Sequence, residues 1–183
     1  MGRHRTLFDG YPCQGDVGGT PQTHPSYNPD AFFLFDLGVV VYDDAFARPT
    51  YGDLPSLNQL DAFGVKGAKK DVTFTSVGYG LQKSFPGPAS WKNEASRVRM
   101  LANPRLIQIN QGIVGDFALL LSNNSNTGGT CFGDSGGPNF IGDSNVIAGV
   151  TSFGLNVTCG GVGGVYRVDR ADDLTWLATF GLS

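Results

Sequence analysis

Gly129-Thr130-Cys131-Phe132-Gly133-Asp134-Ser135-Gly136-Gly137-Pro138 is the stretch that decides how the rest of the chain is read. It sets one hydroxyl between glycines, beside an acid, in a loop too crowded for ordinary side chains. Glycine tolerates positive φ and lets other atoms come close to the main chain. A nucleophilic serine needs that access. It also needs two main-chain N–H groups aimed at the oxygen that turns negative during acyl transfer. A Gly-Asp-Ser-Gly-Gly bend supplies both. In a chain with 27 glycines among 183 residues, a turn that merely contains a serine is the plainer alternative. The ordered string after a cysteine is long, and it favours the chemical reading.

Outside this loop the composition is that of an all-β chain with many turns. Hydrophobic residues make up 40% and charged residues 16%, and Val, Thr, Phe and Tyr recur in short runs. A length of 183 residues holds one good core, or two small ones in contact. The net charge of −3 gives no basic footprint, so nucleic acid is not an expected partner. No apolar run approaches the roughly 20 residues that span a bilayer. Met1-Gly2-Arg3-His4-Arg5 is positive, but no apolar signal-peptide core follows it, so an export signal is expected outside this chain.

Alternating or apolar runs predict strands at Phe32–Tyr42, Asp71–Gly80, Asp116–Leu121, Asn145–Gly154 and Gly163–Val168. Two shorter strand signals lie between Arg97 and Ile109, broken by Asn103-Pro104. Residues 1–30 read as turns, with a weak strand signal at Thr6-Leu7-Phe8. The end reads as a helix capped by Asp169, with Asp172 and Asp173 in its first turn where acids suit the helix dipole. Asp36 is the one charge inside an apolar run, and a carboxylate there has to find partners. An acid at a strand edge facing water is the alternative. Asn123-Asn124-Ser125 and Asn156-Val157-Thr158 fit the short acceptor pattern for glycosylation.

Together the serine loop, His24-Pro25-Ser26-Tyr27, Phe35-Asp36-Leu37-Gly38-Val39-Val40, Gly78-Tyr79-Gly80, Ser152-Phe153-Gly154 and Gly164-Val165-Tyr166 resemble the chymotrypsin/trypsin-like serine proteases. The resemblance covers roughly residues 20–183. It implies an all-β, two-barrel fold with an incomplete first barrel and a C-terminal helix. Residues 1–47 would be the remnant of the first barrel, 48–70 a linker, and 71–183 the second barrel with its helix. It implies Ser135 as nucleophile, Asp36 as the acid that orients a histidine, and the N–H groups of Gly133 and Ser135 as the oxyanion hole. It also implies a Cys131–Cys159 disulfide, with two buried thiols as the alternative, and hence an oxidising, extracellular setting. Cys13 is then left over.

By the same resemblance Gly129 would form the base of the primary pocket and Gly154 and Gly164 its walls. Ser152, Phe153 and Gly154 would pair with an extended peptide. Three glycines and no acid leave an open apolar slot, suited to a large apolar or aromatic side chain. Metal and organic cofactors are not implied, and the histidines and acids show no ligand spacing. The expected partner is a peptide or protein substrate, met by a monomer.

The chain departs from the family in one respect that matters. The family order is His, Asp, Ser, but His4 and His24 are the only histidines here and neither sits in the family's Thr-Ala-x-His-Cys setting. His24 matches a structural histidine of the family. The expectation is a truncated, poorly active endopeptidase, in which Asp134 lacks its usual cationic partner and either needs another cation or sits unpaired and disorders the oxyanion hole. A non-catalytic, protease-like binding protein is the alternative, and a β-rich structural domain with no hydrolytic ancestry a third reading.

Overall fold

Nine short strands and one helix carry the fold in a computed structural model that describes residues 17–45, 47–65, 71–96 and 98–182. In chain order they are β1 (Gly19–Thr23), β2 (Gly38–Tyr42), β3 (Phe74–Gly78), β4 (Met100–Ala102), β5 (Leu106–Ile109), β6 (Ala118–Asn123), β7 (Pro138–Ile141), β8 (Ile147–Gly154), β9 (Gly161–Arg167) and the helix α1 (Ala171–Ala178). β1 and β2 form an antiparallel ribbon of their own. The other seven make one antiparallel sheet in the order β4-β3-β7-β8-β9-β6-β5. That sheet curls. A bridge between Thr73 and Arg105, with Phe74 N donating to Pro104 O at 2.9 Å, brings the start of β3 back to the start of β5.

Period-2 alternation explains what the curled sheet encloses. Leu119 and Leu121 of β6 point into a core with Phe74, Leu106, Ile109, Ala148 and Val165. Their neighbours Ala118 and Leu120 point the other way, onto Val114. Leu60, fully buried, enters the first core from the segment expected as a linker. That segment lies against the seven-stranded sheet, where Asp53 N donates to Asn145 O at 2.8 Å.

A buried ion network holds it there. Arg167, at the end of β9, has no exposed surface. Its Nε and Nη2 donate to the two oxygens of Asp169, each at 2.8 Å, and Nη2 also reaches Asp61 Oδ1 at 2.8 Å. Asp169 in turn accepts from Leu60 N at 2.8 Å. So Asp169 does not cap the helix, as the sequence suggested. Arg170 occupies the cap position with no side-chain cap bond, and Asp172 and Asp173 do stand in the first turn.

Two other expectations change. The strand expected over Phe32–Tyr42 is only Gly38–Tyr42. Asn28 Oδ1 accepts from Asp30 N at 3.0 Å and Pro29 follows, which starts a 3-10 turn over Pro29–Ala31. Phe35 then takes φ +52°, a left-handed value closed to a strand. Two rings of the aromatic run make local ring contacts instead, Phe33 with its centre 5.6 Å from that of Phe117 and Phe35 5.0 Å from His24, while Phe32 stays exposed. Second, the turn-rich start holds a strand, β1, which pairs with all five residues of β2. The expectations for His4, Cys13 and Thr6-Leu7-Phe8 lie outside the described residues.

Candidate active site

The serine loop is built from two successive turns. Asp134 N donates to Cys131 O at 3.0 Å and Gly137 N to Asp134 O at 2.8 Å. Gly133 and Gly136 take φ of +97° and +79°, which is why glycine flanks the Asp-Ser pair. A Cβ on Gly137 would lie 2.6 Å from Val77 O, so the next glycine is needed for close approach. The loop is then tied to β8. Gly136 N donates to Thr151 O at 2.8 Å and Thr151 N to Gly137 O at 2.9 Å. Across from it, a Cys131–Cys159 disulfide with Cα atoms 5.2 Å apart joins the loop to the segment before β9.

Among the described residues, Asp134 is met by main-chain N–H groups rather than by a cation. Its Oδ1 accepts from Gly80 N at 2.7 Å and its Oδ2 from Cys131 N at 2.8 Å. Charge-assisted bonds from main-chain N–H groups are the strong kind. Space for the carboxylate exists because Gly78 and Gly80 lack side chains. A Cβ on Gly78 would collide with Asp134 Oδ1, and one on Gly80 would sit 2.5 Å from Oδ2. The Gly78-Tyr79-Gly80 motif is thus a cradle for the acid beside Ser135. Among the described residues, no hydrogen bond engages the N–H of Gly133, the N–H of Ser135 or the Ser135 hydroxyl.

Asp36 approaches the loop from the β1–β2 unit. It is half-buried, and its Oδ2 accepts from Ser152 Oγ at 2.5 Å. Ser152 directly follows Thr151, the residue that holds the serine loop. Two residues of β8 therefore link the Ser135 loop to the carboxylate of Asp36. Sequence reasoning singled out Ser152 for its main chain and missed this use of its hydroxyl. The available signal was a pair of hydroxyl side chains, Thr151 and Ser152, late in an otherwise apolar strand.

His24 is elsewhere engaged. It is 5% exposed, stacked on Phe35 and met edge-on by Trp176, each ring centre 5.0 Å away. Ser26 N donates to its Nδ1 at 3.2 Å, so the proton of the neutral ring is on Nε2, 3.9 Å from Asp173 Oδ1. Burial lowers the pKa of His24, opposed by the charge of Asp172. Asp173 is itself pushed up to about 7, chiefly by burial, while the Tyr166 hydroxyl donates to both its oxygens at 3.0 Å.

Two clefts meet at Ser135. One, of about 1040 Å³, runs past Val77, Gly78, Tyr79, Met100 and Leu101. The other, of about 420 Å³, brings Ser135 together with Ser152, Phe153 and Gly154. Phe32, Phe132, Leu155 and Val157 give that second cleft an apolar rim the sequence reading did not name. Gly129 and Gly164 are not among its lining residues. Gly129 borders a separate recess, where a Cβ would strike Asn123, and Gly164 lies beneath the ring of Phe153. Among the described residues, no charged side chain lines the second cleft.

A protein-family model described as Trypsin matches residues 20–174. The chain belongs to the trypsin family. The fold agrees with solved trypsin-family structures. An HL collagenase is 23% identical with a TM-score of 0.68, and the match covers 93% of this chain and 72% of that one. Human heparin binding protein is 21% identical with a TM-score of 0.65, covering 87% and 63%. A doubly substituted mutant of human heparin binding protein is 20% identical with a TM-score of 0.64, covering 90% and 65%. The chain thus spans just under two thirds of the heparin binding proteins it matches. No curated protein sequence matches it. The family carries the all-β fold with its C-terminal helix, and the disulfide is formed as the resemblance implied. Among the described residues, no helix is long and apolar enough to cross a membrane.

Proposed function

We propose that this trypsin-family chain carries the nucleophile and the orienting acid of a serine endopeptidase. Ser135 Oγ attacks a peptide carbonyl carbon and its proton passes to an imidazole. The C–N bond breaks, the amine leaves with that proton, and water releases the acyl group. Asp36 orients the imidazole, and the N–H groups of Gly133 and Ser135 receive the developing oxyanion. One observation carries the reading: Ser135 and Ser152 border one cleft while the hydroxyl of Ser152 holds Asp36. The disengaged N–H groups of Gly133 and Ser135 support it. His24 is too deeply packed to serve as base. Gly129, Phe153, Gly154 and Gly164 belong to the substrate cleft or its support. The β1–β2 ribbon belongs to the first barrel and the seven-stranded sheet with its helix to the second. The setting is extracellular, the protein a monomer, and the substrate a peptide; neither nucleic acid nor a membrane is a partner.

A fluorophosphonate probe tests this on the 183-residue chain. Labelling maps to Ser135 by mass spectrometry, is slow alone, and accelerates with added imidazole. Asp36→Asn abolishes the acceleration and Ser135→Ala the labelling. Equal labelling of the Ser135→Ala protein would sink the proposal.

A protease-like binding protein is the second reading, favoured by the burial of His24 away from Ser135. One structural neighbour is named for binding heparin, a polyanion. The net charge of −3 lends no support to a polyanion as its ligand. Imidazole that leaves Ser135 unreactive favours this second reading.

A further inference from the structure

β8 and β9 run antiparallel, but their register slips between Thr151 and Phe153: Thr151 faces Val165 and Phe153 faces Gly164, leaving Ser152 as the extra residue. Such a bulge re-aims the side chains on either side of it. Here it does two things at once. Ser152 turns its hydroxyl to Asp36. Phe153 turns its ring onto Gly164. A Cβ on Gly164 would collide with Phe153 Cε2 and lie 2.5 Å from Cδ2 and Cζ. The ring therefore rests on bare main chain, in the space a side chain at 164 would need. Its other contacts hold it there: it is half-buried against the cluster of Val114, Ala118 and Leu120.

The consequence falls on the cleft beside Ser135. Three glycines in sequence suggested an open slot for a large apolar or aromatic side chain. A slot takes a flat ring because glycine main chain can stack on both of its faces. On the Gly164 side that stacking surface is already covered by an aromatic ring of the protein. What remains open is the mouth, rimmed by Phe32, Phe132, Leu155 and Val157 with no charge.

We propose that Phe153 sets the depth of this cleft by lying across Gly164, so that the cleft takes short branched aliphatic side chains and excludes aromatic ones. This rests on the endopeptidase reading for what enters the cleft, but not for the contact itself. Three measurements on the full chain separate the two. The first is a stability cycle. Gly164→Ala lowers the melting temperature, and in the Phe153→Ala background the same change costs little or nothing. The second is ligand binding by NMR. Benzyl alcohol shifts resonances around Gly164 in Phe153→Ala and leaves those of the unsubstituted protein in place.

The third is selectivity. Peptidyl diphenyl phosphonates with a valine-type or a phenylalanine-type side chain are compared for labelling of Ser135, in imidazole. The unsubstituted protein prefers the valine type, and Phe153→Ala swings the ratio toward the phenylalanine type by at least about tenfold, the scale of a hydrophobic pocket contact. Equal cost of Gly164→Ala in both backgrounds, or aromatic preference in the unsubstituted protein, overturns the proposal. If neither phosphonate labels Ser135 in either protein, it is the endopeptidase reading that fails, and the stability cycle and the benzyl alcohol shifts still decide the role of Phe153.

Discussion

Removing the Cys131–Cys159 bridge should cost both stability and the shape of the cleft, and the stability cost can be worked out from chain statistics. The cysteines are 28 residues apart in sequence. Closing a loop of about 28 residues withdraws roughly 2.1 + 1.5R ln 28, or about 12 cal/mol/K, from the unfolded chain. At 298 K that is about 3.6 kcal/mol. For a chain of this size each kcal/mol moves the midpoint by about 2–4 °C, so Cys131→Ser with Cys159→Ser lowers Tm by roughly 7–14 °C. Urea unfolding followed by tryptophan fluorescence measures the free energy, and differential scanning calorimetry the Tm. The same bridge joins the Ser135 loop to the segment that walls its cleft, so fluorophosphonate labelling slows in a temperature range where the variant is still folded. A loss below about 1 kcal/mol would mean that the unfolded chain already keeps these two segments together, and the argument from loop closure would fail.

Arg167→Met keeps the volume but strands Asp169, which has no exposed surface. Removing one partner of a buried pair costs about 3–5 kcal/mol, read from urea midpoints, and the loss persists in high salt because the pair is shielded from solvent ions. Asp173→Asn changes the pH dependence. The native carboxyl is pushed from its ordinary 3.8 up to about 7, so the folded state holds a proton that the unfolded state has released, and stability falls as pH rises from about 4 to about 7. The amide variant lacks that fall. What remains is the opposite slope from His24, whose lowered pKa removes stability as pH drops below 6.5. Melting curves from about pH 4 to 8 check both signs. Gly80→Ala puts a methyl group 2.5 Å from Asp134 Oδ2. It should destabilise by about 1–3 kcal/mol and slow Ser135 labelling, whereas alanine at Gly87, with nothing within 4 Å, is tolerated.

Much of the architecture was legible because its signals are local. Strand β3 announces itself by alternation and β6, β8 and β9 by short apolar runs, and Asn103-Pro104 marks the break between β4 and β5. β7 escaped notice because it is four residues long and opens with proline, which is tolerated at the first position of a strand. Phe32–Phe35 misled for the converse reason. An apolar aromatic run has the composition of a strand, while the turn begun by Asn28-Pro29 and the left-handed Phe35 bend it away.

The serine loop, with its glycines, its acid and its cysteine, was determined by the sequence alone, since each of those residues is demanded by main-chain geometry within a single short stretch. What only the tertiary structure decided was who meets whom. That Asp169 serves Arg167 rather than the helix, that Ser152 reaches Asp36, that amides replace a cation at Asp134, and that Phe153 covers Gly164 are all outcomes of three-dimensional packing. They depend on how strands register and where one bulge falls. A one-residue slip reverses which way a side chain points, and no local pattern of residue types records it.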